Sequence, residues 1–225
     1  MRTQRIATRP GTAAAGCIVL LPGVQQQFED FTRNRFDAAL HERPLAHDLM
    51  LVAPELAHLT DRDWLQCLHE QVVQPLRAAG ESIWLGGISL GAFMALRFAA
   101  RYPAAIDGLC LLAPYLGNRI VAAEIARAEP LQSWQPGVLA EDDDERQIWR
   151  YLLALRSSPP RIFLGFGRHD RFVDTQRLLA RALPAASSVQ IDGGHDWPVW
   201  RQLWENFLDR CLLTSEPSAE RSHER

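Results

Sequence analysis

Ser89 lies between glycines in the stretch GGISLGA, where an apolar run with strand character gives way to one with helix character. A serine hydroxyl attacks a carbonyl only once a base takes its proton, and that base needs a carboxylate to fix its tautomer and stabilise the imidazolium. Two later glycine loops offer those groups: GFGRHDRFVD carries Asp170, and GGHDWPVW carries His195. The chemistry to consider is therefore nucleophilic acyl transfer. A nucleophile on a tight strand-to-helix turn has a strained backbone, and the residues two before and two after it approach so closely that only small side chains fit, the part Gly87 and Gly91 would take. The same turn aims a helix N-terminus at the serine, so the backbone N–H of Leu90 can meet a developing oxyanion. Alone, G-x-S-x-G is weak, because it arises by chance in roughly one chain in ten of this length. Its place after a strand pattern and before an apolar helix, with the two later loops, gives it weight.

Of the other histidines, His41, His47, His58 and His69 precede the serine, His169 adjoins the acid and His223 is near the C-terminus. His195, in a glycine turn after the last strand, is the preferred base. Asp170 stands immediately beyond the fifth strand and is preferred over Asp174. Asp192 sits at a strand end, and Asp196 is expected to cap the last helix. The order Ser89, Asp170, His195 is the one expected on a parallel sheet carrying this kind of elbow.

Six apolar runs must position these groups: CIVLL (17–21), LMLVA (49–53), IWLGG (83–87), GLCLLA (108–113), RIFLGF (161–166) and SVQID (188–192). They lack polar alternation, as strands buried on both faces should. Between them run helical patterns, such as Trp64, Leu65, Leu68, Val72 and Leu76, opening on a capping-box-like pair at Thr60 and Asp63. After the last strand, Trp197, Trp200, Trp204, Phe207, Leu208 and Cys211 mark a helix with Pro198 in its first turn. The alternation predicts an α/β fold: a mostly parallel sheet of about six strands with helices on both faces, its ligands at the carboxyl ends of the strands. One domain over 1–213 is expected, with a helical lid-like insertion over 115–160 and a polar tail over 214–225. Within the insertion, the acidic run EDDDE (141–145) reads as carboxylates complementing a helix N-terminus.

An apolar share of 47%, a charged share of 23% and a net charge of −3 belong to an ordinary soluble protein and give no electrostatic case for nucleic acid. All 24 basic residues are arginine, which reads as a compositional habit rather than a recognition device. Cys17, Cys67, Cys110 and Cys211 form no C-x-x-C pair and sit mostly in apolar runs, which suggests buried free thiols in a reducing compartment, with no metal site. AAAGC ending at Cys17 superficially resembles a lipoprotein cleavage site, but the apolar run follows the cysteine instead of preceding it. No segment approaches the ~20 apolar residues of a membrane span. A cytoplasmic protein is expected.

From Cys17 to Leu213 the sequence resembles the α/β-hydrolase superfamily, through LLPGV after the first apolar strand, GGISLGA at the elbow, GRHDRFV for the acid and GGHDW for the base. The resemblance implies a second oxyanion N–H from the loop after that strand, at Val24, with Gln25 as the alternative. It departs from the family where Pro22-Gly23 replaces a common His-Gly pair, and the family's N-terminal antiparallel strands look shortened or missing. A serine at the elbow argues against the family's epoxide hydrolases, dehalogenases and dienelactone hydrolases. The implied activity is a serine hydrolase cleaving a carboxylic ester or thioester through an acyl-enzyme on Ser89, without cofactor or metal. The partner would be a small-molecule acyl ester or thioester. Acyl transfer on the same residues and a non-hydrolytic binding protein of the same fold are the alternatives. Gln25, Tyr115, Trp134, Trp149 and Trp197 are candidate pocket residues, and Arg119 and Arg168 candidate contacts for an anionic substrate.

Overall fold

Runs of apolar residues with no polar face must be covered on both sides, and here they are laid edge to edge as the middle of one sheet. The computed structural model describes residues 1–53, 62–155 and 160–213. The strands are β1 (Arg2–Ile6), β2 (Gly16–Leu21), β3 (His47–Ala53), β4 (Ser82–Ile88), β5 (Gly108–Leu112), β6 (Arg161–Gly167) and β7 (Ser188–Ile191). Their order across the sheet is β1-β3-β2-β4-β5-β6-β7. All neighbours run parallel except β1, which pairs antiparallel with β3.

Among the described residues the expectation of about six strands thus becomes seven, because one N-terminal antiparallel strand is present. RTQRI carries no apolar run and is exposed along almost its whole length, so hydrophobic patterning cannot reveal it. It is tied at the edge by Arg5, whose guanidinium reaches Asp48 at 2.8 Å and Glu81 at 2.8 Å. Asp48 and Glu81 are both buried, and carboxylates so placed need a cation to hold them.

Alternate residues of each central strand feed two cores. Val19, Leu21, Leu85, Leu109, Leu111 and Leu164 pack under one set of helices. These are α3 (Arg62–Leu68), which continues through a π turn (His69–Val73) into α4 (Gln74–Ala78), then α5 (Leu90–Arg101), α6 (Arg119–Ala126), α7 (Asp144–Ala154) and α8 (Val173–Ala182). Ile18, Leu20, Leu49, Leu51, Trp84 and Leu112 pack on the opposite face under α1 (Glu29–Arg33), α2 (Phe36–His41) and α9 (Trp197–Phe207). Each such side chain contributes about 1.5–3 kcal/mol by leaving water. The capping signal at Thr60 and the tail after 213 lie outside the described residues.

The insertion after β5 contains α6 and α7, and three consecutive residues fasten it. Asp144 pairs with Arg97 of α5 at 2.8 Å. Arg146 pairs with Glu124 of α6 at 2.7 Å, which lowers the Glu124 carboxyl from its ordinary value. Glu145 turns towards the exit of β5, where Tyr115 donates to it at 2.6 Å. Asp143 caps α7 by accepting from the Arg146 N–H, so the acidic run does meet a helix N-terminus, and it also makes specific contacts.

Candidate active site

β4 ends at Ile88 and α5 begins at Leu90, leaving one residue to reverse the chain. That residue is Ser89, with φ +55° and ψ −111°, a conformation costing of order 1–3 kcal/mol for a side chain other than glycine. Its backbone is held from both sides. The Ser89 N–H donates to Leu112 O at 3.0 Å, and Ser89 O accepts from the N–H groups of Phe93 and Tyr115, each at 3.2 Å. Close approach explains the flanking glycines: a Cβ on Gly91 would collide with the Leu21 carbonyl and lie 2.7 Å from the Pro22 carbonyl, and one on Gly87 would lie 2.8 Å from the Gly91 backbone.

Parallel register carries the other two groups to the same edge. Ile88 lies opposite Leu112, Leu112 opposite Gly165, and Gly167 opposite Ile191. The loops after β6 and β7 then meet backbone to backbone: Arg168 N–H donates to Ile191 O at 2.8 Å and His169 N–H to Gly193 O at 2.9 Å. A Cβ on Gly167 would sit 2.7 Å from Gly194 O, so the approach needs glycine there. As a result His195 Nδ1 lies 2.7 Å from Asp170 Oδ2. The Asp170 side chain is 0% exposed and that of His195 9%, so the bond is shielded from water. The second carboxylate oxygen, Oδ1, accepts from the Phe172 N–H at 2.8 Å. Asp174 stands in the first turn of α8, and Asp196 caps α9 by accepting from the Val199 N–H at 3.2 Å.

The His195 ring is held by more than its carboxylate. Phe172 meets it edge-on at 5.3 Å and Trp200 at 5.1 Å. Tyr115 meets Phe172 at 5.4 Å and Phe93 at 5.4 Å. A wall of rings therefore runs from Phe93 on α5 through Tyr115 and Phe172 to His195, beside Ser89. Neither Phe172 nor Phe93 was legible as a site residue, since one is a loop phenylalanine and the other part of an apolar helix pattern. Only the proximity of Phe172 to Asp170 in the chain hinted at it.

The chain leaving β2 crosses the first turn of α5, as the Leu21 and Pro22 carbonyls beside Gly91 require. There the Leu90 N–H, first of the helix, has no intrahelical partner. Gly23 to Gln26 form a tight turn closed by Gln26 N–H to Gly23 O at 3.2 Å and Gly23 N–H to Gln26 Oε1 at 2.7 Å. Val24 and Gln25 occupy its exposed tip, Gln25 at φ +61°.

The aromatic candidates separate. Tyr115 lies next to Ser89, its backbone N–H donating to Ser89 O. Trp134 is tied inside the insertion, donating to Glu124 at 3.1 Å. Trp149 is fully buried and donates to Leu116 O at 2.8 Å, so it is a strut of the core, as aromatics at helical spacing usually are. Trp197 packs edge-on against Phe31, Phe36 and Trp200, filling the junction of α9 with α1 and α2. Arg119 and Arg168 are exposed.

A cavity of about 430 Å³ lies between α3, α5 and α7, lined by Arg97, Arg101, Tyr102 and Asp144 among others. Ser89 and His195 do not line it. Among the described residues no group of three or more His, Cys, Asp or Glu side chains is placed to hold a metal ion, and no helix is long and apolar enough to cross a membrane.

A mostly parallel sheet between two helical layers, with an elbow at the end of β4, is the α/β-hydrolase fold, and solved structures bear this out. An S-formylglutathione hydrolase (FrmB) from Staphylococcus aureus matches with a TM-score of 0.69 at 12% identity over 92% of this chain and 91% of its own. Est1E from Butyrivibrio proteoclasticus, solved with ferulic acid bound, matches with a TM-score of 0.63 at 11% identity over 92% and 93%. A monoacylglycerol lipase from Paleococcus ferrophilus matches with a TM-score of 0.60 at 15% identity over 93% and 98%. No family model matches the sequence, and no curated protein matches it at a significant level.

Proposed function

We propose that the protein is a serine hydrolase that cleaves a carboxylic ester or thioester through an acyl-enzyme on Ser89. Ser89 Oγ attacks the acyl carbonyl while His195 takes its proton as general base, and Asp170 holds the imidazole with Nε2 free to accept. The N–H groups of Leu90 and Val24 receive the oxyanion. His195 then protonates the leaving alcohol or thiol and activates the water that releases the acid. The observation that carries this reading is the strained backbone of Ser89 at the sheet edge that also bears the buried Asp170–His195 pair. A protein with no use for a hydroxyl at that turn has no reason to hold a buried serine there in so costly a conformation. The fold neighbours support the reading, since they include a monoacylglycerol lipase and an S-formylglutathione hydrolase.

The test is labelling with a fluorophosphonate, located by peptide mass spectrometry. Modification of Ser89 in the folded wild type, and its loss in Ser89→Ala, is the expected result. An unlabelled Ser89 in folded protein would overturn the proposal. A panel of p-nitrophenyl esters beside acyl-CoA thioesters then separates ester from thioester preference.

A further inference from the structure

Glu145 stands in the first turn of α7, where a carboxylate favours the helix N-terminus. Both of its oxygens are nevertheless engaged at the far end of the insertion. Oε1 accepts from the Tyr115 hydroxyl at 2.6 Å. Oε2 accepts from the Asn118 N–H at 3.1 Å and from Asn118 Nδ2 at 2.7 Å. Asn118 in turn caps α6, its Oδ1 accepting from the N–H groups of Ile120 at 2.8 Å and Val121 at 3.1 Å. One carboxylate thus joins the exit of β5, the start of α6 and the start of α7.

The consequence falls on Tyr115, which is held at both ends. Its backbone N–H donates to Ser89 O, and its hydroxyl is bonded to Glu145. Between these anchors its ring closes the gap from Phe93 to Phe172, the ring that touches His195. Burial, then the Glu145 carboxylate, pushes the phenol well above its ordinary value, so it stays a donor at neutral pH.

Resting on the reading of Ser89 as nucleophile, we propose that Glu145 is a positioning residue that sets acyl selectivity, fixing the Tyr115 ring as a rigid wall beside Ser89 so that the site takes short or flat acyl groups in preference to long flexible ones. A ring free to turn would open the space beside the acyl carbonyl. A ring held at two points yields little, and a rigid aromatic wall suits a small or planar group.

The experiment compares kcat/KM for p-nitrophenyl acetate and octanoate in wild type, Glu145→Ala, Glu145→Gln and Tyr115→Phe, with fluorophosphonate labelling of each. Release of the ring should raise the octanoate-to-acetate ratio about 10-fold or more in Glu145→Ala and Tyr115→Phe, mostly through KM for octanoate, the size of effect a pocket wall has on acyl length. In Glu145→Gln the amide oxygen can accept from Asn118 while the NH₂ donates to the Tyr115 hydroxyl oxygen, so the hydroxyl keeps a polar partner and the ratio should return towards wild type. A labelled, active wild type whose ratio is the same in all three variants would overturn the role given to Glu145 while leaving Ser89 as nucleophile. A ratio that moves in Glu145→Ala but not in Tyr115→Phe would also overturn it, because the effect would not pass through the hydroxyl. An unlabelled wild type would instead overturn the reading of Ser89, and this inference with it.

Discussion

Asp170→Asn exposes the logic of the site, because the structure dictates how the amide must sit. In the wild type, Oδ1 accepts from the Phe172 N–H at 2.8 Å and Oδ2 faces His195 Nδ1 at 2.7 Å. Asparagine has one acceptor and one donor where aspartate has two acceptors. The Phe172 N–H can be satisfied only by the oxygen, so the NH₂ group must turn towards His195. An NH₂ there needs an acceptor, which forces Nδ1 to give up its proton and places the proton on Nε2. The imidazole then presents a donor where the serine needs a base.

The loss should resemble that measured when the corresponding carboxylate of a serine protease is amidated, about 10⁴-fold in kcat, or about 5.4 kcal/mol of barrier. Stability should change little, since both polar contacts of the side chain survive. Asp170→Ala would differ: it leaves the Phe172 N–H without its partner, costing about 1–3 kcal/mol of folding stability besides the activity. The assay is kcat/KM on p-nitrophenyl acetate beside thermal unfolding followed by circular dichroism. A loss under 10-fold in Asp170→Asn, or an equal loss in Asp174→Asn, would refute the tautomer argument and return the acid role to contention.

Two further perturbations probe the frame of the site. Gly91→Ala places a methyl against the Leu21 and Pro22 carbonyls; such overpacking costs about 1–3 kcal/mol, or about 2–4 °C of midpoint per kcal/mol in a chain of this size. It should also reduce turnover by displacing the loop that leads to Val24, whereas Gly137→Ala, with nothing within 4 Å of its Cβ, should change neither. Burial pushes the Cys17 thiol up to about 12 and raises that of Cys110 as well. Groups whose values rise on folding contribute stability that is full below their ordinary value near 9 and falls away as pH climbs towards the raised one. The midpoint should therefore drop between pH 9 and 11, less steeply in Cys17→Ala, and both thiols should resist a disulfide reagent until the protein unfolds.

Legibility followed the kind of signal each element carries. The strands in the middle of the sheet announce themselves because a strand covered on both faces needs apolar residues along most of its length, as the fully buried GCIVLL of β2 does. β1 is an edge strand whose side chains face water, and its pairing rests on backbone bonds and on Arg5, whose partners Asp48 and Glu81 are 43 and 76 residues away. Trp149 misled for a related reason. An aromatic at helical spacing looks the same from the chain whether its ring faces a ligand or a core, and only the bond from its indole to Leu116 O distinguishes the two.

The candidate reacting groups and the rings around them obey different rules. Ser89, Asp170 and His195 each sit where a strand ends in a glycine loop, and parallel register converts those three local positions into one shared edge without further instruction. The walls have no such shortcut. Tyr115 meets Glu145 across 30 residues of chain, and the Phe172 ring reaches His195 and Tyr115 by contacts that no periodicity encodes. The orientation of the His195 ring depends on both sets at once: Asp170 fixes which nitrogen bears the proton, while Phe172 and Trp200, meeting the ring at 88° and 87°, fix the plane in which it lies. Local patterning can therefore point to the chemistry proposed for this edge, whereas the selectivity proposed for it rests on long-range contacts such as that of Glu145 with Tyr115.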